Sequence, residues 1–219
     1  MKTDLLIVEL ARDLRPVRPL SSPLLRLSRW LAAVIAVAAL GIWLLGPRAD
    51  LASAIANAVY DARFVLTVAA GIFAGAAAFV LSVPAAESYR AQRFVPFVFA
   101  IAWALLLGVL LASGGRGMER LLAFPVNWPC GYKILAFSVI FGIALLIALR
   151  RAAPLELTWT AALAALSSTA LAAAATQLIC PVDDAAHQIV GHVAPVAVLG
   201  FLGTVIGFRT LRWPGSPRR

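Results

Sequence analysis

Six stretches of this 219-residue chain are long and apolar enough to cross a bilayer: Leu25–Leu45, Phe64–Val83, Phe94–Ala112, Cys130–Leu149, Leu157–Ile179 and Val190–Phe208. About 20 mostly apolar residues in a helix match the thickness of the hydrocarbon core. Lipid offers no partner to a backbone N–H or C=O, so such a segment must satisfy its own hydrogen bonds, which a helix does. The chain is 62% hydrophobic and only 13% charged, far from soluble composition. The predicted class is therefore all-α: a polytopic membrane protein with six transmembrane helices, short loops and a short amphipathic N-terminal helix. No cleavable signal peptide is expected, because no small-residue cleavage site closes off the first span.

With six spans both termini lie on one side. That side would hold Lys2, Arg12, Arg15, Arg18, Arg26 and Arg29, the loop residues Arg90, Arg93, Arg150 and Arg151, and Arg209, Arg212, Arg218 and Arg219. The other side keeps only Arg48, Arg63, Arg116, Arg120 and Lys133. Basic residues collect in cytoplasmic loops, so both termini are expected in the cytoplasm and the membrane is expected to be a bacterial inner (plasma) membrane. Residues 1–23 then form a cytoplasmic arm, 24–209 the membrane domain and 210–219 a cytoplasmic tail. The net charge of +9 reads as topology and contact with anionic headgroups of the bilayer rather than as nucleic-acid binding, since the cations flank spans.

Pumps, proton-coupled transporters and intramembrane enzymes keep ionisable groups within their spans. None of Asp, Glu, Lys or Arg falls deep in any predicted span, and no hydrolase or metalloprotease pattern occurs in a useful context. A non-enzyme is expected. Prolines that could break a helix lie at span edges (Pro84, Pro96, Pro129, Pro154, Pro181), with Pro195 nearest to an interior. Gly71 and Gly75, and Gly203 and Gly207, are small residues four apart that allow close helix packing. The fifth span is the most polar, with Thr158, Thr160, Ser167, Ser168, Thr169, Thr176 and Gln177. Its hydroxyls can bond back to their own helix or to a neighbour; a substrate path is the sharper alternative.

The only two thiols, Cys130 and Cys180, stand at span ends on the predicted outer face. Cys130 opens a helix one turn before Lys133, and both the dipole and the cation favour its thiolate. Cys180 closes a helix beside Asp183 and Asp184, which disfavour a thiolate but welcome a cation. The short connection between the fourth and fifth spans makes these helices neighbours and sets the two sulfurs at similar height. The pair could form a disulfide in an oxidising compartment. It could also bind a soft or borderline ion such as zinc or cadmium, with His187, Asp183, Asp184 and His192 as further candidate ligands. No resident cofactor is expected beyond a transient heavy-metal ion at these cysteines. A disulfide relay enzyme would need a second thiol pair, which the sequence lacks. In the first outer loop, Leu51, Ile55 and Val59 after a possible Asp50 cap read as an interfacial helix or an extension of the second span.

In the arm, Asp4 can cap a short helix on which Leu6, Leu10 and Leu14 share a face, with Ile7 beside them. Pro16, Pro19 and Pro23 end it in a stiff extended connector. A helix this short is marginal alone and wants a partner surface, and Glu9 and Asp13 dilute the basic face of a lipid binder, which favours a protein partner.

The stretch Asp13–Leu20 (DLRPVRPL), the entry Leu24-Leu-Arg-Leu-Ser-Arg-Trp30, the six short helices, Pro129-Cys-Gly131 and Ile179-Cys-Pro181 together resemble NrsF-type integral membrane anti-sigma factors over essentially the whole chain. The resemblance implies an extracytoplasmic-function sigma factor as partner, bound by the arm, and sensing of heavy-metal or related stress at the outer cysteines. Carried over by position, partner binding falls on Leu6, Leu10, Asp13, Leu14, Arg15, Pro16, Arg18 and Pro19, and sensing on Cys130 and Cys180. Because the arm is much shorter than a soluble anti-sigma domain, further contacts are expected from the inner loops around Glu87–Arg93 and Arg150–Glu156 or from the C-terminal tail. The rival from another class is a small six-span transporter or exporter with a structural disulfide.

Overall fold

Ser22 opens the first long helix: its Oγ accepts from the Leu25 N–H at 3.3 Å, and Pro23 takes the first helical position, where a missing N–H costs nothing. The computed structural model describes residues 3–12, 19–83, 91–115, 117–123, 128–152 and 154–212. Every regular element among them is helical: α1 (Thr3–Arg12), α2 (Pro23–Leu45), α3 (Leu51–Ile55), α4 (Ala58–Leu81), α5 (Val95–Ser113), α6 (Gly117–Ala123), α7 (Trp128–Arg150), α8 (Leu157–Gln177), α9 (Ala185–Gln188), a π-turn (Ile189–Val193) and α10 (Ala194–Leu211). Six of the helical segments are long and apolar enough to span a membrane. Apolar side chains such as Ile35, Leu40, Trp43, Leu105, Val109, Ile143 and Phe201 stand exposed on the outside of the bundle, the arrangement a lipid surround selects.

Two helix starts lie more than one turn from the sequence expectation. The second spanning helix starts ahead of Phe64, at Ala58, because Asn57 Oδ1 accepts from the N–H groups of Val59 (2.9 Å) and Tyr60 (3.3 Å). Asp61 and Arg63 therefore lie inside that helix rather than in a loop. The Leu51–Ile55–Val59 stripe is broken at Asn57, and Asp50 makes no side-chain cap to α3, since its carboxylate is taken by Arg48. The sixth spanning segment likewise begins earlier than Val190, at Ala185, and runs through the π-turn.

The polar fifth span, α8, is the centre of the bundle. It packs against α4, α10 and α7, and every residue from 163 to 177 except Leu166 is buried. Both glycine pairs face it, from opposite sides. A Cβ at Gly71 of α4 would stand 2.6 Å from Leu171 Cγ, and one at Gly203 or Gly207 of α10 would stand 3.1 Å from the Cβ of Ala165 or Ala161. With no hydrophobic drive between helices in lipid, such close approach is what holds them. Three hydroxyls of α8 bond back to their own helix: Ser168 donates to Ala164 O (2.9 Å), Thr169 to Ala165 O (2.8 Å) and Thr176 to Ala172 O (2.8 Å). Two side chains cross to α4, Ser167 to Gly71 O (2.7 Å) and Gln177 Nε2 to Thr67 Oγ1 (3.1 Å).

At the end where α2 starts, the buried Arg26 guanidinium donates to Ser82 Oγ (3.2 Å) and Ala148 O (2.7 Å) and lies over the Phe79 ring, tying α2 to α4 and α7. At the same end Arg93 pairs with Glu156 at 3.2 Å and covers Trp159. In the arm, α1 starts at Thr3, so Asp4 lies within its first turn, and Leu5, Ile7 and Val8 are exposed. Of the residues expected to bind a partner, Pro19 is exposed; Asp13, Leu14, Arg15, Pro16 and Arg18 lie outside the described residues, as do the side chains of Leu6 and Leu10 and residues 213–219 of the tail.

Candidate functional site

At the opposite end of the bundle the two cysteines meet. Cys130 lies in the first turn of α7, and Cys180 follows the turn that closes α8, its N–H bonded to Thr176 O at 2.9 Å. Both are free and buried, and Cys130 Sγ donates to Cys180 Sγ at 3.5 Å. His187 Nε2 lies 3.2 Å from Cys180 Sγ and 3.6 Å from Cys130 Sγ. His192 completes the cluster: one ligand atom from each of the four residues falls within 4.8 Å of all the others. All four side chains are buried.

The local chain explains how two histidines five apart can share one face. Successive residues of an α-helix turn by about 100°, which would set positions 187 and 192 about 140° apart. The segment between them is instead a π-turn, with the Ala194 N–H bonded to Ile189 O. Pro195 supplies the cause, because it has no N–H for the Gly191 carbonyl and its ring would clash with that carbonyl in a regular α-helix. The wider turn brings the two imidazole centroids to 5.6 Å, inclined at 66°. Gly191 leaves room for this, since a Cβ there would stand 3.3 Å from the His187 ring.

Asp183 and Asp184, candidate ligands from the sequence, are not brought to the sulfurs. Asp184 caps α9, accepting from the N–H groups of Ala186 (2.9 Å) and His187 (3.2 Å). Asp183 is clamped by Arg48 and Arg63, both buried, and these guanidinium groups lie against the Tyr60 ring. Hydrogen bonding from Arg48, then from Arg63, holds the Asp183 carboxyl below the usual carboxylate range. Arg48 is held further in the charged form by Asp50 and Asp183. The strap before α9 is thus fixed by α4 and by the loop after α2, to which it is also joined through the Arg48 N–H and Leu178 O at 3.0 Å. These cations entered the sequence reading only as flanks of spans. The signal that could have found them is the presence of Arg48, Asp50, Arg63 and Asp183 at one predicted face.

The surroundings of Cys180 differ from the sequence expectation. Asp183 has its charge matched by two guanidinium groups, so it does not burden Cys180. The hydrogen bond from Cys130 Sγ, and after it that of His187, pulls the Cys180 thiol down. Cys180 is thereby biased towards the thiolate. An acidic sulfur beside a second sulfur and two imidazoles suits two chemistries: sulfur–sulfur bond formation on oxidation, or loss of protons and capture of a soft or borderline cation.

A family model described as negative regulator of sigma F, NrsF, matches residues 10–213. No curated protein matches the chain, and no solved structure does.

Proposed function

The chain belongs to the NrsF family of negative regulators of sigma F, and from that premise we propose that it tethers an extracytoplasmic-function sigma factor at the bacterial inner membrane and releases it when its outward cysteines meet heavy-metal or thiol stress. Membership itself makes the protein a negative regulator of a sigma factor. The finer reading puts both termini in the cytoplasm, in line with the distribution of basic residues. The arm then docks the sigma factor through its apolar stripe, with Leu10 and Leu14 at the centre. The exposed Leu5, Ile7 and Val8 of α1 add apolar surface for a protein partner.

One observation carries the sensing half: Cys130 and Cys180, fifty residues apart in sequence, lie 3.5 Å apart at the end of the bundle remote from the start of α2. Engaging that pair acts on α7 and on the strap between α8 and α10 together. A stimulus shifts such a switch only by its differential affinity for two helix arrangements. The transporter reading has less to work with, because the hydroxyls of Ser168 and Thr169 that would line a path bond to carbonyls of their own helix.

The test is sigma-factor capture and reporter output in cells. Burial of a Leu side chain contributes roughly 1.5–3 kcal/mol, so the Leu10→Glu, Leu14→Glu double variant should insert normally but lose the sigma factor and switch its genes on without stress. Cys130→Ser or Cys180→Ser should keep basal repression and lose the response to cadmium. Repression that persists in the double leucine variant would remove the arm as docking element. A normal cadmium response without either thiol would remove the pair as sensor.

A further inference from the structure

We infer that Cys130, Cys180, His187 and His192 are the four ligands of a single tetrahedral centre for a divalent cation of the zinc and cadmium class. This rests on the reading of the cysteine pair as the stress input, and it adds the two imidazoles, the coordination number and the ion's charge.

The distances suit such an ion. Bonds of about 2.3 Å to sulfur and about 2.0–2.1 Å to nitrogen imply tetrahedral edges of about 3.3–3.8 Å. Three edges are already close to this: 3.5 Å between the sulfurs, and 3.2 and 3.6 Å from His187 Nε2 to each. They form one face of the tetrahedron. The fourth vertex belongs to His192, whose ligand atom lies within 4.8 Å of the other three.

His192 is the observation that points to a ligand. Its side chain is fully buried, and neither ring nitrogen has a hydrogen-bond partner among the described residues. A buried imidazole with both nitrogens unmatched is costly, and the bundle builds a π-turn to aim it at two thiols. A buried disulfide would explain the sulfurs and leave both histidines without a purpose.

Charge selects the ion. In the loaded centre two thiolates, two neutral imidazoles and a divalent ion sum to zero. A neutral centre avoids the desolvation cost of a net charge among buried side chains. A monovalent ion on the same ligands would leave one negative charge. The mixed nitrogen and sulfur set suits borderline ions, and four protein ligands leave no open position for catalysis.

The experiment uses the full chain in detergent micelles, reduced and freed of metal, titrated with cobalt(II) and then with cadmium(II). We expect one equivalent of cobalt(II) to give visible bands of tetrahedral intensity with sulfur-to-metal charge transfer, and cadmium(II) to displace it. Cys180→Ser should abolish the charge transfer, and His192→Gln, if it keeps the parent's melting temperature, should weaken cobalt(II) at least about tenfold. Should His192→Gln fold poorly, the parent protein still decides, since X-ray absorption of its cadmium(II) form distinguishes two sulfur and two nitrogen neighbours from sulfur and water alone. Absence of tetrahedral cobalt(II) in the parent, or binding untouched by His192→Gln, would overturn the centre while leaving a thiol-only sensor standing. A tetrahedral centre in a protein whose cysteine variants still respond to cadmium in cells would keep the site and remove its sensing role.

Discussion

Arg48 grips Asp183 with two parallel hydrogen bonds, Nη1 to Oδ1 at 2.9 Å and Nη2 to Oδ2 at 2.7 Å, across 135 positions of sequence. The fork geometry is the strong form of the arginine–carboxylate pair. It joins the loop after the first spanning helix to the strap that precedes the last, and Arg63 of α4 reaches the same carboxylate. Three stretches of chain thus converge on one acid, within a few residues of Cys180.

Replacing Asp183 by Asn leaves two buried guanidinium groups without their shared counter-charge. The Asp183 side chain is 47% exposed, so the loss should fall between that of a surface pair and that of a buried one, about 1–3 kcal/mol. A lowered melting temperature in detergent should be accompanied by faster reaction of Cys130 and Cys180 with an aqueous thiol reagent. Unchanged thiol reactivity would show that the clamp does not position the strap.

Acid should release the same clamp. The folded-state pKa of Asp183 is depressed, chiefly by the hydrogen bond from Arg48, so below the ordinary value the unfolded chain binds the proton first. Its contribution is full well above the ordinary carboxylate pKa of about 3.9 and fades as pH falls below that value towards the lower folded one. The difference in melting temperature between the parent and Asp183→Asn should be constant near neutrality and shrink below about pH 4. A difference that grows on acidification would contradict the depressed pKa.

Close packing on α8 sets the third expectation. A Cβ at Gly71 meets Leu171 Cγ at 2.6 Å, whereas one at Gly108 meets nothing within 4 Å. Gly71→Ala should therefore destabilise the bundle by about 1–3 kcal/mol through overpacking, and Gly108→Ala should be close to neutral. Comparable melting curves for the two variants would mean that α4 and α8 slide apart freely.

Orientation can be read without touching the buried sulfurs. In a Cys130→Ser, Cys180→Ser background, Ala52→Cys and Arg151→Cys place single thiols at exposed positions on opposite ends. A membrane-impermeant maleimide added to intact spheroplasts should label the first and spare the second. The reverse pattern would invert the proposed topology and remove the thiols from the outer face.

The spans were legible because their signal is length and composition, which lipid imposes on each segment separately. Cap chemistry refined their ends: Asn57, a better cap than anything near Phe64, moved the start of α4. The meeting of Cys130 and Cys180 followed from the short link between their helices. The histidines were legible as candidate ligands but their convergence was not, because a spacing of five means divergence on an α-helix and convergence on a π-turn. Pro195 is the available clue, but a proline near a span interior does not by itself say that the turn around it widens. The Arg48–Asp183–Arg63 clamp was hidden for another reason: charges counted as topology markers say where a loop lies, not which carboxylate each will reach.

Among the six spanning helices α8 is the least apolar, yet it is the most enclosed. Taken alone, it should partition into lipid less strongly than the other five. Its crossing hydrogen bonds, from Ser167 to Gly71 O and from Gln177 to Thr67 Oγ1, both end on α4, a helix made earlier. During synthesis the acceptors are therefore in the bilayer before the donors emerge, and α10 arrives last to close the other side. On that order, damage to α4 should appear first as failed insertion of a helix translated many residues later.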